Sequence, residues 1–239
     1  SRSFFFTNMS DEIPTNDAES NFITINYSIS WIPFVTMTVA LITFFYTYVN
    51  FIYQSGFVID SLPTLSEASS TYPISKVFAV GISCFAVLFY FSGTFFIDFL
   101  SFQNYSKSQF MRIYLPIISI FFIIMSCVKK TEQATIHKCF LSLSFLNVFI
   151  FGIWSFFALK TISMLRYTKL RLILLILGTI CSVLLSIFVM LTENKTITNL
   201  KAVVEYVMII CLILYYGLWS FDIPLHIEFM IAKTYINET

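Results

Sequence analysis

The stretch KVFAVGISCFAVLFYFSGTFFIDF, residues 76–99, decides the structural class of this chain. Between Lys76 and Asp98 it contains no charged side chain. A helix rises about 1.5 Å per residue, so about 20 apolar residues cross a hydrocarbon core about 30 Å thick. Five further runs of this kind lie near residues 30–54, 112–128, 138–159, 171–191 and 202–223. The pattern predicts six helices that cross a membrane.

The composition agrees with this prediction. Of the 239 residues, 58% are hydrophobic and only 11% are charged, and the mean hydropathy is +0.83. A soluble protein of this size needs a largely polar surface, which so few polar residues cannot provide. We therefore predict an all-α fold, a polytopic membrane protein with six transmembrane helices in one bundle. The formal net charge of +1 favours no nucleic-acid partner.

The polar segments divide the chain into three parts. We expect residues 1–28 to form a flexible polar tail, because they carry four acidic residues and no long apolar run. Residues 29–223 form the predicted six-helix transmembrane domain. Residues 224–239 are predicted to be a short cytosolic segment that can lie along the membrane surface.

Residue types that hold metals or cofactors are sparse. The five cysteines are scattered without a metal-ligand spacing, and the six glycines form no phosphate-binding loop. We therefore expect neither a metal nor a cofactor. Cys127 and Cys139 flank one short loop and are candidates for a disulfide, but free thiols buried near helix ends are favoured because a disulfide needs specific geometry. No GxSxG motif occurs, so a serine hydrolase lacks support from sequence.

The basic residues predict the orientation in the membrane. If the amino terminus is cytosolic, slightly more than half of the 14 Lys and Arg face the cytosol, with the densest cluster in the link 160–171. The sequon that begins at Asn194 then lies on the opposite face, where it can be glycosylated. We predict that both termini are cytosolic and that Asn194 carries a glycan.

Ionisable side chains near the spans are candidates for chemistry, because they are costly inside a bilayer. Glu205 lies about one turn into the sixth predicted helix, and His137 lies just before the fourth. Asp60, Ser66 and Glu67 belong to the long loop between the first two spans. All of them are predicted to meet at one pocket in the outer leaflet. A carboxylate beside an imidazole can act as acid and base or bind a lipid headgroup.

Structural roles explain the same residues without chemistry. Glu205 can stabilise a helix start or accept hydrogen bonds from hydroxyl or amide donors. His137 can be a solvated loop histidine. The residues alone leave these alternatives open beside the functional one.

Three other residues are given structural roles. Asp222, near the inner end of the last span, is expected to hold that span at the interface, and Trp219 fits the aromatic belt of the membrane. Pro116 is placed in the first turn or so of the third predicted helix, where a missing amide hydrogen matters least.

Three segments of the chain resemble a known family: LPTLSEASSTYPISKVFAVGI (62–82), TIHKCFLSLSF (135–145) and VVEYVMIICLILYYGLWSFDI (203–223). Their order and spacing are similar to the six-span family that includes the damage-regulated autophagy modulators, the membrane region of the yeast Sfk and Cwh proteins, and the post-GPI-attachment lipid-remodelling factor. The resemblance covers about residues 30–230 and is closest to the last of these branches.

The resemblance implies work on membrane lipids, either GPI-anchor lipid remodelling or related lipid handling, in the endomembrane system (ER, Golgi or lysosome) or the plasma membrane. It implies His137 as acid/base or headgroup ligand and Glu205 as the residue that orients it or holds a hydroxyl. The lipid or its headgroup would be bound by Pro63, Ser66, Glu67 and Tyr206. The positions that match the family's motifs are Pro63, Ser66, Glu67, His137, Glu205, Tyr206 and Asp222.

A second function remains open. The chain can instead be a non-catalytic accessory subunit of a larger membrane channel, receptor or lipid-kinase complex, because contacts between membrane helices leave little trace in one sequence. Whether the chain is an enzyme is therefore not decided. The expected partner is a membrane lipid, with a larger membrane protein as the alternative.

Overall fold

The computed structural model falls into two units, which are described separately: residues Ile29–Pro224, and residues Ser1–Ser28 together with Leu225–Thr239. The predicted flexible tail lies mostly outside the described residues, as does the end of the carboxy-terminal segment. The structure describes residues 22–27, 31–55, 62–128, 133–162, 167–191, 194–222 and 227–232.

Six helices of the larger unit are long and apolar enough to cross a membrane, which confirms the predicted fold class. One additional short helix precedes the second of them. The last helix continues as a 3-10 turn, Leu218–Phe221. The helices are α1 (Trp31–Gln54), α2 (Leu65–Ala68), α3 (Ile74–Phe102), α4 (Ser108–Cys127), α5 (Ala134–Thr161), α6 (Thr168–Met190) and α7 (Lys195–Gly217).

The six long helices pack as a closed ring in chain order. Each contacts the next, from α1 through α3, α4, α5 and α6 to α7, and α7 contacts α1 again. Aromatic side chains fill the interior, among them Phe89, Phe96 and Phe151, which are fully buried. Trp219 is 1% exposed and stacks on Phe96 with ring centroids 4.2 Å apart. The prediction that Trp219 belongs to the aromatic belt is therefore wrong.

The helices extend beyond the apolar runs, so two predicted positions are wrong. α4 begins at Ser108, which places Pro116 inside the helix rather than in its first turn. α7 begins at Lys195 because the Asn194 side chain accepts a hydrogen bond from the Ile197 amide at 2.9 Å and caps a polar first turn. An apolar run identifies the part of a helix that lies in the hydrocarbon core. The helix itself continues beyond that run into polar turns, so its ends lie outside the run.

The smaller unit contains a pair of strands that the sequence analysis does not predict. β1 (Phe22–Tyr27) runs antiparallel to β2 (Ile227–Ala232), with Phe22 opposite Ala232 and Tyr27 opposite Ile227. Each strand is six residues long, and its partner lies at the other end of the chain. Such a pairing leaves no local signal, because a short strand is stabilised only by the partner it meets.

All five cysteines are free. This confirms the favoured prediction for Cys127 and Cys139, which form no disulfide. Both are exposed in the protein, however, so the expectation that they are buried is wrong.

Candidate functional site

The short helix α2 begins with a capping box. The Thr64 hydroxyl accepts from the Glu67 amide at 3.2 Å, and the Glu67 carboxylate accepts from the Thr64 amide at 2.9 Å. The sequence Thr-Leu-Ser-Glu provides both side chains at the spacing that this motif needs. Leu65 is 4% exposed and Ala68 is fully buried, so these two side chains of α2 pack against the protein interior.

Side chains of α7 hydrogen-bond the backbone of this segment. The Glu205 carboxylate accepts from the Leu65 amide at 2.8 Å, the Tyr206 hydroxyl donates to the Pro63 carbonyl at 2.7 Å, and the Asn199 side chain accepts from the Leu62 amide at 2.7 Å. Backbone groups among apolar helices must find partners, because no bulk water is available. These three bonds therefore hold α2 against α7.

Glu205 lies deeper than predicted. It comes ten residues after Lys195, about 15 Å along the helix, rather than one turn in, and it is 1% exposed. Its bond to the Leu65 amide confirms the alternative in which Glu205 accepts from an amide donor. The carboxylate therefore helps to position α2, whatever else it does.

His137 lies in the first turn of α5 and is 4% exposed, so the solvated-loop alternative is wrong. Its Nδ1 is 2.5 Å from the Val128 carbonyl oxygen, and its Nε2 is 3.1 Å from the Ser66 hydroxyl. A carbonyl oxygen only accepts, so Nδ1 carries the proton. In the neutral ring Nε2 then accepts from the Ser66 hydroxyl.

Ser66, His137 and Glu205 lie between two cavities of contrasting character. All three side chains line both cavities, the first about 20 Å³ and the second about 30 Å³. The first cavity is otherwise apolar and is lined by Phe44, Leu65, Phe78, Ile82, Phe85, Phe122, Met125, Leu141, Phe145, Ile209 and Leu212. The second, called the polar cavity below, shares Leu141 with the first and is lined further by Leu185 and by the polar side chains of Thr64, Glu67, Lys138, Thr198 and Lys201.

Most of the predicted site residues meet here. Ser66, Glu67, His137 and Glu205 line the cavities, while Pro63 and Tyr206 contribute the hydrogen bond beside them. Asp60 lies outside the described residues. Asn194 is exposed at the start of α7, at the end of the bundle where α5 also starts.

Two lysines of the polar cavity were missed by the sequence analysis. Lys201 is 5% exposed, and Lys138 follows His137 directly. Lys201 lies four residues before Glu205 on α7, a spacing that places two side chains on one helix face. This spacing from Glu205 is the sequence feature that could have identified Lys201 as a residue of the site. In the part of the chain that the structure describes, no group of three His, Cys, Asp or Glu is placed to hold a metal.

Asp222 lies away from this site. Its carboxylate forms an ion pair with Arg171, and both side chains are fully buried. Arg171 also donates to the Leu218 carbonyl at 2.9 Å and lies over the Tyr215 ring. Asp222 therefore joins α6 to the end of the last span inside the protein, which corrects its predicted role at the interface. Arg171 is likewise not a surface charge of the cationic link.

The comparison with protein families identifies the family of this chain. The family described as Frag1/DRAM/Sfk1/Cwh43P N-terminal domain matches residues 28–226, a range that contains all six long helices and every residue of the site. The comparisons with curated proteins and with solved structures give no match. The chain belongs to the Frag1/DRAM/Sfk1/Cwh43P family of membrane proteins.

Proposed function

We propose that this protein binds a membrane lipid at the site formed by Ser66, His137 and Glu205. The observation that supports it most is the position of these side chains between an apolar cavity and a polar one. A lipid has the same division, with acyl chains on one side of its linkage and a headgroup on the other. The lysines and Glu67 of the polar cavity suit a charged or hydroxylated headgroup.

The cavities are small in the described conformation. Volumes of about 20 and 30 Å³ hold a water molecule or two, not an acyl chain. A lipid therefore enters only when its surroundings move. The segment that carries the four-residue helix α2 moves aside to admit the lipid and then returns to the described position, where three hydrogen bonds hold it to α7.

The lipid part of GPI-anchored proteins, or a related lipid, is the proposed substrate. The branch of the family that the sequence resembles suggests this choice. His137 serves as acid/base or headgroup ligand, since its Nε2 is directed at the Ser66 hydroxyl. Glu205 holds the Leu65 amide next to Ser66, and its negative charge, at the wall of both cavities, orients His137 or holds a hydroxyl of the lipid.

The proposed location is an endomembrane compartment or the plasma membrane, with the site on the exoplasmic side and both termini in the cytosol. Asn194 tests this arrangement, because it lies at the same end of the bundle as the site. Its side-chain oxygen caps α7, and the nitrogen remains available for a glycan. A glycosidase should reduce the apparent mass of the wild type but not of Asn194→Gln. A wild type that never carries this glycan would contradict the orientation.

The function is tested with Glu205→Gln. An amide oxygen can still accept from the Leu65 amide, so the fold should persist while the negative charge is lost. Purified protein is extracted with solvent, and the retained lipids are measured by mass spectrometry. In cells, the lipid part of GPI-anchored proteins is measured in parallel. Asp98→Asn is the matched control, since Asp98 is a half-exposed carboxylate at the end of α3, near the opposite end of the bundle from α7's first turn.

We expect Glu205→Gln to lose most of the retained lipid and the remodelling, at wild-type expression, while Asp98→Asn keeps both. Normal remodelling by Glu205→Gln would overturn the proposal. Purification without lipid, at fixed stoichiometry with a larger membrane protein, would favour the accessory role instead.

A further inference from the structure

The Ser66 hydroxyl has the surroundings of a nucleophile. It lies 3.1 Å from His137 Nε2, which carries no proton when the ring is neutral, and the other ring nitrogen is held by the Val128 carbonyl. This arrangement of a hydroxyl, a base and a group that orients the base is the one that activates serine in acyl transfer. It is recognised by geometry, which is why the missing GxSxG motif does not exclude it.

The backbone that carries Ser66 is fixed from several sides. The residue before it, Leu65, donates its amide to Glu205, and the Ser66 carbonyl accepts from the Ser69 hydroxyl at 3.3 Å. The capping box of Thr64 and Glu67 encloses it. Supporting contacts of this kind hold a reactive side chain in one position. A serine with only a structural role in the loop would not need a buried histidine beside its hydroxyl.

The two cavities indicate the substrate. Ser66 lies where the apolar cavity meets the polar one. In an acylated lipid, the ester carbonyl lies at this same division, with the acyl chain on one side and the headgroup on the other. The buried ammonium group of Lys201 lines the polar cavity and favours negative charge that develops there.

We propose that Ser66 is a catalytic nucleophile that forms an acyl-enzyme with a lipid ester, with His137 as its general base. Ser66 Oγ attacks the ester carbonyl carbon and its proton passes to His137 Nε2. The bond between that carbon and the lipid alcohol breaks, and the alcohol oxygen takes the proton from Nε2. A hydroxyl compound, water or a second lipid alcohol, then gives its proton to Nε2 and attacks the acyl carbon. The bond between that carbon and Ser66 Oγ breaks, and Nε2 returns the proton to Oγ, which restores the hydroxyl. This mechanism rests on the lipid-binding function proposed above.

The test uses an alkyl fluorophosphonate on the full chain in detergent. Ser66 Oγ bonds to phosphorus, fluoride leaves, and His137 takes the proton, so an activated serine retains a stable adduct. Mass spectrometry of the digested protein locates it. Ser70→Ala is the matched control for Ser66→Ala, because the Ser70 hydroxyl lies on the same segment and donates to the Glu67 carbonyl.

We expect an adduct at Ser66 in the wild type and in Ser70→Ala, and none at this peptide in Ser66→Ala. His137→Gln should lower the rate of adduct formation about 100-fold or more, the contribution typical of a general base. If that variant does not fold, as judged by its melting curve, the Ser66 and Ser70 variants still decide the matter.

The results separate the two proposals. A wild type that retains lipid but forms no adduct at Ser66 overturns the nucleophile and leaves lipid binding intact. An adduct whose rate is unchanged in a folded His137→Gln variant overturns the role of His137 as base. An adduct at Ser66 in a protein that retains no lipid supports the serine–histidine pair and overturns the lipid-binding function.

Discussion

Two buried polar clusters in this protein contrast in what they connect. At one end, Arg171 and Asp222 form an ion pair between α6 and the residues that follow α7, with both side chains fully buried. At the other, Glu205 and His137 reach α2, a helix of only four residues, through single hydrogen bonds to a backbone amide and a hydroxyl. The first cluster joins two long elements of the bundle. The second holds a short segment beside two cavities.

The difference shows that burial of an ionisable group does not by itself indicate a functional site. Arg171 and Asp222 are as buried as Glu205, yet each compensates the other's charge, and Arg171 also donates to the Leu218 carbonyl. Charges that neutralise each other within the bundle need no ligand. The chemistry proposed for His137 rests instead on the position of its Nε2, 3.1 Å from a hydroxyl at a cavity.

The largest expected effect is a loss of stability when the ion pair between Arg171 and Asp222 is broken. Arg171→Met leaves the Asp222 carboxylate buried without its guanidinium, which typically costs about 3–5 kcal/mol. We expect a large fall in the melting temperature of the purified protein, measured in detergent. Retention of lipid by the fraction that folds should not change.

The matched control for this prediction is the double variant Arg171→Met with Asp222→Leu. Replacing both members of a buried pair with apolar side chains is often neutral or stabilising, so most of the lost stability should return. Labelling of Ser66 by the fluorophosphonate should be that of the wild type. A double variant as unstable as Arg171→Met would show that the pair's hydrogen bonds, rather than its charges, stabilise this end.

A smaller loss of stability, confined to the α2 segment, is expected when Glu205 is replaced. Glu205→Ala leaves the Leu65 amide without its acceptor, a loss of about 1–3 kcal/mol. Hydrogen exchange at Leu65 should therefore become about 5- to 140-fold faster, at tenfold per 1.4 kcal/mol. Glu205→Gln, which keeps an acceptor oxygen, should exchange nearly as slowly as the wild type. Equal acceleration in both variants would mean that the charge, not the hydrogen bond, holds α2 in place.

The same contrast explains how much the sequence could predict. The six long helices follow from the length of the apolar runs, because only a helix satisfies its own backbone in hydrocarbon. The convergence of Ser66, His137 and Glu205 was foreseen from their positions at one end of the spans. The hydrogen bonds from His137 and Glu205 to the α2 segment were not, because a loop rich in Ser, Thr and Pro is usually solvated, whereas here Leu65 and Ala68 are buried.

Other features depend on partners that are distant in the sequence. The ion pair joins residues 51 positions apart, and neither Arg171 nor Asp222 differs locally from an interfacial charge. Trp219 likewise resembles a residue of the aromatic belt until its stacking on Phe96 is seen. The strands β1 and β2 pair across almost the whole chain. A single sequence shows what each segment prefers but not which segment it will meet.

The smallest loss of stability is expected at the exposed ion pair between Asp98, at the end of α3, and Arg112 in α4. Their side chains are 50% and 53% exposed, so water screens the attraction and little is lost when it is removed. Asp98→Asn should change the free energy of unfolding by no more than about 1 kcal/mol, measured by denaturation in detergent. A loss as large as that of Arg171→Met would mean that water reaches this pair less in the membrane than the exposed fractions of the two side chains indicate. Exposure could then not be used to compare ion pairs in this protein. The Arg171–Asp222 pair and the Glu205–His137 cluster would be distinguished only by the groups that they bond.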